Sequence, residues 1–230
     1  MNVRIVTGYD VLNGPRPHEE YVRLGNRLLA LPTPIDLFTD WHESFEPGWN
    51  TEIHADAEVH WLWRIKADKR PKIPMTDNPE KDTADFHAVQ HQKTQWLAMA
   101  AAIDPRDTLV WVDLGILHVP GVTEAGILGL VERAANLPQD KVTFASIWGE
   151  PIRGILTDRV EWWCAGGVVI CPGRLAGEFH AEAMDAAERC LTNFGRITYE
   201  VNTWAAAWRQ RPALFRHYLC DHNHTILEAA

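Results

Sequence analysis

The chain has 230 residues, a formal net charge of -9 from 22 Lys and Arg against 31 Asp and Glu, and 46% hydrophobic residues. That length can bury a substantial core in one α/β domain. The acidic balance argues against a nucleic-acid surface or an anionic membrane surface, both of which need clustered Lys and Arg, so an anionic ligand would need a local cation.

No apolar run approaches the ~20 residues that cross a bilayer, and the start MNVRIVTGYD lacks the apolar centre of a signal peptide. The expectation is a soluble, cytoplasmic chain. Cys164, Cys171, Cys190 and Cys220 form no CxxC pair and read as reduced thiols. If one strand joins Cys164 to Cys171, strict alternation puts the two on opposite faces. The 11 tryptophans exceed ordinary core needs, so some are expected to line a site where flat rings pack on sugars or bases.

Val3 to Thr7 (VRIVT) reads as a short strand that breaks at Gly8 into the loop GYDVLNGPRP. Tyr21, Leu24, Leu28 and Leu31 keep helical spacing until Pro32 and Pro34 stop the pattern. Ile35 to Thr39 (IDLFT) then reads as the second strand, completing a β-α-β opening. From Asp40 to Asp82, Pro47, Pro71, Pro74 and Pro79 punctuate a long excursion, with one short helix expected around Ala57 to Lys66.

The next helix, about Thr83 to Ile103, carries Phe86, Val89, Trp96, Leu97 and Ala100 on one face with Lys93 near its middle. A lysine there either snorkels, pairs with a nearby acid, or reaches over the sheet edge to an anionic ligand. The run TLVWVDLGILHVP, Thr108 to Pro120, opens as a strand buried on both faces and carries one carboxylate, Asp113, where the strand ends. In open α/β sheets, ligands sit at the carboxyl ends of the strands, where an acid can hold a metal, a ribose or a phosphate-bound cation. The alternative is an Asp that only terminates the strand.

Thr123 can cap a helix whose Ile127, Leu130, Val131 and Ala134 face the core, and Lys141 to Ile147 reads as another strand. In CAGGVVICPG, residues 164 to 173, Gly166 and Gly167 mark a bulge or a close approach of ligand or backbone. A helix from about Leu175 to Leu191 follows. Glu200 starts a short helix, where capping is its plainest role. Ala213 to Leu219 reads as a last strand, and His222 and His224 in the tail have a spacing that metal sites use.

There is no GxGxxG after the first strand, no GxxxxGK[ST], no GxSxG and no HExxH, which argues against dinucleotide-dependent hydride transfer, P-loop phosphoryl transfer and serine hydrolysis. The letters HNH at 222 to 224 lack the context of the nuclease signature. In the order of its parts the chain resembles the GT-A fold of glycosyltransferases that use nucleotide-diphosphate sugars. The likeness is to the glycogenin-like group and small bacterial relatives that build surface polysaccharides. VTGYD resembles the nucleotide-contacting turn after strand one. Lys93 followed by VWVDLG resembles a basic helix before a YLDAD strand, CAGGVVI an NAGVML strand, and YEVNTW a DQDxLN patch before a carboxyl-terminal histidine.

The resemblance implies a single-domain, Rossmann-like α/β fold over residues 1–230, with a mostly parallel mixed sheet flanked by helices. It also implies transfer of a hexose from a donor such as a UDP-sugar to a hydroxyl of a carbohydrate or glycolipid acceptor. Thr7, Gly8, Tyr9 and Asp10 would cradle base and ribose, Lys93 would lie near the diphosphate, and Gly166 and Gly167 would flank the donor sugar. Asp113, the first acid of DxD, would hold Mn²⁺ or Mg²⁺ together with His222 or His224, and Glu200 would stand by the acceptor as a candidate base. The second DxD acid is Gly115 here, and Val201 and Asn202 do not preserve the DQD patch. Two other readings are a GT-A-fold binding protein without turnover, which Gly115 favours, and a nucleotidyltransferase, whose Gly-rich, Arg-containing loop VTGYDVLNGPRP does not form.

Overall fold

Burial of every residue in the apolar run Thr108–Val112 organises the computed structural model, which describes residues 2–10, 16–55, 79–151 and 158–229. In chain order the main elements are β1 (Val3–Gly8), α1 (His18–Leu29), β2 (Ile35–Phe38), β3 (Thr51–His54), α2 (Ala84–Ile103) and β4 (Thr108–Val112). Then come α3 (Glu124–Asn136), β5 (Val142–Ser146), β6 (Cys164–Pro172), α4 (Gly173–Phe194), α5 (Glu200–Gln210) and β7 (Phe215–Leu219). The strands form one 7-stranded sheet in the order β3-β2-β1-β4-β6-β5-β7. β6 is antiparallel to both its neighbours and every other pairing is parallel.

Alternation along β4 explains the two layers of helices. Val110 and Val112 join a cluster with Leu28 of α1 and Ile127 and Leu130 of α3. Leu109 and Trp111 join a second cluster with Trp96 of α2, Phe179 of α4 and Trp204 of α5. Both faces are therefore covered, as a largely parallel sheet requires. Thr83 caps α2 by accepting from Phe86 N at 3.1 Å, and Thr123 caps α3 by accepting from Gly126 N at 3.1 Å.

Register delivers the functional residues to one edge. Val6 of β1 pairs with Trp111 of β4, and Val112 pairs with Val168 of the antiparallel β6. The ends of β1 and β4 thus meet the start of β6, and Asp113 N donates to Gly167 O at 2.9 Å. Ligand clefts in open α/β sheets form at such carboxyl ends.

Three expectations are corrected or fall elsewhere. The excursion after Asp40 contains an edge strand, β3, that periodicity did not reveal, because TEIH carries three polar side chains and one apolar one at an edge. The helix expected around Ala57 to Lys66 lies outside the described residues. Cys164 and Cys171 share the α2-side cluster rather than facing opposite ways, because the pairing of β6 with β5 shifts register between Val169 and Cys164 and breaks strict alternation. All four cysteines are free.

Gly8 is needed for packing. A Cβ there would lie 2.4 Å from the Trp96 ring, which stacks on Trp111 at 5.6 Å between ring centroids. Gly8→Ala is expected to lower stability by about 1–3 kcal/mol, as overpacking does in a core that cannot yield. Guanidinium unfolding measures it, and an unchanged midpoint would show that Trp96 moves freely.

Candidate active site

One ammonium holds two carboxylates at the sheet edge. Lys93 Nζ lies 3.0 Å from Asp113 Oδ1 and 3.0 Å from Glu200 Oε1, and donates to Gly166 O at 3.0 Å. Its three N–H bonds are all engaged. Burial opposes the charge on Lys93, but Asp113 and Glu200 outweigh it and hold the ammonium above the ordinary lysine range. The face of Trp111 lies 5.9 Å away, and its indole N–H donates to Asp113 Oδ1 at 2.7 Å. Of the three expectations for a lysine on that apolar face, the ion pair is what the structure shows.

The two acids differ in access. The Asp113 side chain is 37% exposed and that of Glu200 only 3%. Asp113 Oδ1 is committed to Lys93 and Trp111, leaving Oδ2 as its free acceptor. Glu200 Oε1 is committed to Lys93, and Oε2 is buried with no hydrogen-bond partner among the described residues. An unpaired carboxylate oxygen costs free energy to bury, and such groups are retained at working sites.

Gly166 and Gly167 make room for these acids. A Cβ on Gly166 would meet Glu200 Oε1 at 2.5 Å, and one on Gly167 would stand 3.4 Å from Asp113 Oδ2. The close approach that glycines in a strand signal is made here by the protein's own carboxylates.

The acids open onto a cleft of about 460 Å³. Gly8, Tyr9, Asp10, Lys93, Asp113, Gly166, Gly167, Glu200 and His222 all line it, so the structure brings most of the expected site residues together. Thr7 is not among them; it is fully buried. His224 is not either, standing 3.6 Å from Glu228 and against Gly121. At one end Tyr9 packs on Tyr21, and its hydroxyl meets His18 Nδ1 at 2.8 Å; burial pushes that phenol up to about 12. At the other, Trp162 packs edge-on against Tyr199 at 5.0 Å and near His222 at 6.4 Å. Trp163 and Trp204 are core, Trp96 and Trp111 are core side chains that also border the cleft at 1% exposure, and Trp162 lines it.

Sequence reasoning missed Arg16, Lys81, His18, Trp162 and Tyr199, all of which line the cleft. Arg16 and Lys81 lie in Pro-rich connections without periodicity, where no local signal sets a basic residue apart. Tyr199 opens the YEVNTW patch beside Glu200, and that adjacency is its signal; for Trp162 the signal is the excess of tryptophans alone.

The residues around Asp113 do not fit a divalent cation. A hard dication needs several oxygen ligands. Here Gly115 offers no side-chain oxygen, one oxygen of Asp113 is shared by Lys93 and Trp111, and among the described residues no group of three His, Cys, Asp or Glu ligands gathers at Asp113. Among the described residues, the group that could coordinate a divalent metal is Asp36, Glu52 and His54, whose ligand atoms lie within 4.8 Å of one another. That group sits on β2 and β3, outside the cleft lining. Arg4 already donates there to both oxygens of Asp36, at 2.9 Å and 2.5 Å, and His54 Nε2 lies 2.8 Å from the same carboxylate.

Behind the cleft, His87 of α2 packs edge-on against Tyr199 at 4.8 Å. Burial lowers its imidazole to about 4. The unfolded chain, with an ordinary value of 6.5, binds more protons between pH 6.5 and about 4, so stability falls as the pH is lowered through that window. The loss from this group is on the order of 3 kcal/mol. Urea unfolding at pH 7 and pH 4.5 measures it. The difference is expected to shrink in His87→Phe, and an equal difference in the variant would place the effect elsewhere.

No protein-family model matches the chain, and no curated protein matches it. Among solved structures, the chain is similar to mouse xyloside xylosyltransferase 1 in its apo form. The TM-score is 0.51 at 11% sequence identity, over 94% of this chain and 84% of that one. At that identity the likeness speaks for the fold: a mostly parallel mixed α/β sheet flanked by helices, in a Rossmann-like GT-A arrangement.

Proposed function

We propose that the protein is a glycosyltransferase that moves a hexose from a nucleoside-diphosphate donor, a UDP-sugar in first place, to a hydroxyl of a carbohydrate or glycolipid acceptor. The observation that carries this reading is the buried Lys93 that fixes Asp113 and Glu200 side by side in one cleft at the carboxyl ends of β1 and β4. Surface-polysaccharide or glycoconjugate synthesis in the cytoplasm is the setting that suits such a reaction. No helix among the described residues is long and apolar enough to cross a membrane.

Each residue has a role in this reading. Asp113 Oδ2 accepts from a ribose hydroxyl of the donor, and Tyr9 with Asp10 borders the base. Gly167 leaves room for the sugar beside Asp113. Glu200 Oε2 takes the proton of the acceptor hydroxyl as it attacks the anomeric carbon, if the configuration is inverted. The departing diphosphate gathers negative charge as the bond to the sugar breaks, so a fixed cation beside it stabilises the transition state more than the ground state. No step is assigned to a metal.

A second reading, a GT-A-fold protein that binds nucleotide sugars without turnover, draws on Gly115 in place of the second acid. A thermal-shift screen of nucleoside diphosphates tests binding, since a ligand of the native state alone raises Tm. Release of free sugar from a UDP-sugar, lost in Asp113→Ala, decides for transfer chemistry. Failure of every nucleotide to raise Tm would defeat both readings.

A further inference from the structure

Resting on the nucleotide-sugar reading of the cleft, we infer that Arg16 and Lys81 form a metal-independent clamp for the donor's diphosphate. A diphosphate needs compensating positive charge, and the position of the second acid, which would recruit a dication, is Gly115. Lys93 cannot serve, because its three N–H bonds go to Asp113, Glu200 and Gly166 O and its charge is outweighed by two carboxylates.

Among the described residues that line the cleft, Arg16 and Lys81 are the arginine and lysine that remain once Lys93 is set aside. Lys81 has no carboxylate within ion-pair distance among the described residues. Arg16 has Glu20 at 3.6 Å, a partly exposed pair of the kind that contributes little. The two cations feel each other: burial first, and then repulsion by Arg16, lowers the Lys81 ammonium, while Glu200 and Asp113 raise it. Arg16 also lies near Tyr21, whose ring packs against Tyr9 at 5.3 Å at the end of the cleft where the base is placed.

Like charges that line one half-buried cleft are costly until an anion comes between them. A guanidinium offers a fork to phosphate oxygens and an ammonium a point charge, and the two together suit a pair of phosphoryl groups. With the diphosphate drawn to these two residues, the negative carboxylates Asp113 and Glu200 are left for the ribose and the acceptor.

Isothermal titration of the full chain in EDTA tests this, with inorganic pyrophosphate and with UDP, GDP, ADP and CDP as separate ligands. Pyrophosphate and at least one nucleoside diphosphate are expected to bind without metal. Lys81→Met and Arg16→Met are each expected to weaken that binding about 10- to 100-fold, the size of a lost charge-assisted contact, with Tm of the free protein unchanged. Binding that requires Mn²⁺, or variants that bind like the parent chain, would overturn the clamp and leave the nucleotide-sugar reading standing. Metal-free pyrophosphate binding that depends on both residues, without binding of any nucleoside diphosphate, would sustain the clamp and remove that reading. Silence from pyrophosphate and all four nucleotides would remove both.

Discussion

Lys93→Met is expected to lower stability by about 3–5 kcal/mol, because removing one partner of a buried ion pair leaves the other charge uncompensated. In a chain of this length that is a fall in Tm on the order of 10 °C. Methionine fills much of the same volume, so the loss is electrostatic rather than a cavity. Glu200, at 2% exposure, bears most of it, since Asp113 keeps the Trp111 donor and solvent. Adding Glu200→Gln to Lys93→Met is therefore expected to restore a large part of the loss, giving a coupling well beyond additivity. The measurement is a double-mutant cycle in guanidinium. Additive effects would mean that Lys93 does not hold Glu200 in place. Activity is expected to vanish in the single variant, because both acids lose the group that orients them.

The same three residues show how far the chain could be read before folding. Asp113 was legible as a lone charge ending an apolar strand, and Lys93 as a cation on an apolar helix face. Each violates a local rule, and such violations gather at working sites. Their 3.0 Å contact was not legible, because it depends on how α2 lies across β4, and no short-range pattern encodes that. Glu200 looked like a helix-start acid suited to the dipole. Its position at the start of α5 is as expected, but the carboxylate turns inward to Lys93. The antiparallel course of β6 was hidden as well. A buried strand reads the same in either direction, yet its direction is what sets Gly166 and Gly167 against the two acids. His222 and His224 part for a related reason: same-side projection assumes an extended tail, whereas a 3₁₀ turn begins at His224 and carries it toward Glu228, so that of the two His222 lines the cleft.

In Glu200→Gln, kcat is expected to fall about 100- to 10,000-fold, the range that positioned proton transfer supplies, while donor affinity stays within a few-fold. The substitution separates the two duties of this side chain. Its Oε1 accepts from Lys93, a bond the amide oxygen can keep, and its Oε2 has no partner among the described residues and is the atom left to receive a proton. An amide NH₂ in the Oε2 position cannot take that proton. The substitution also removes the one negative charge in excess over Lys93, so stability should hold or rise slightly, and a lower kcat cannot then be charged to unfolding. Asp113→Asn is the contrasting change: it weakens an exposed acceptor for the donor's ribose and is expected to raise the donor KM more than it lowers kcat. A Glu200→Gln enzyme with the kcat of the parent would reduce Glu200 to an anchor for Lys93. The proton of the acceptor would then have to leave by another route, as it does when the departing diphosphate itself accepts it in a transfer that retains configuration.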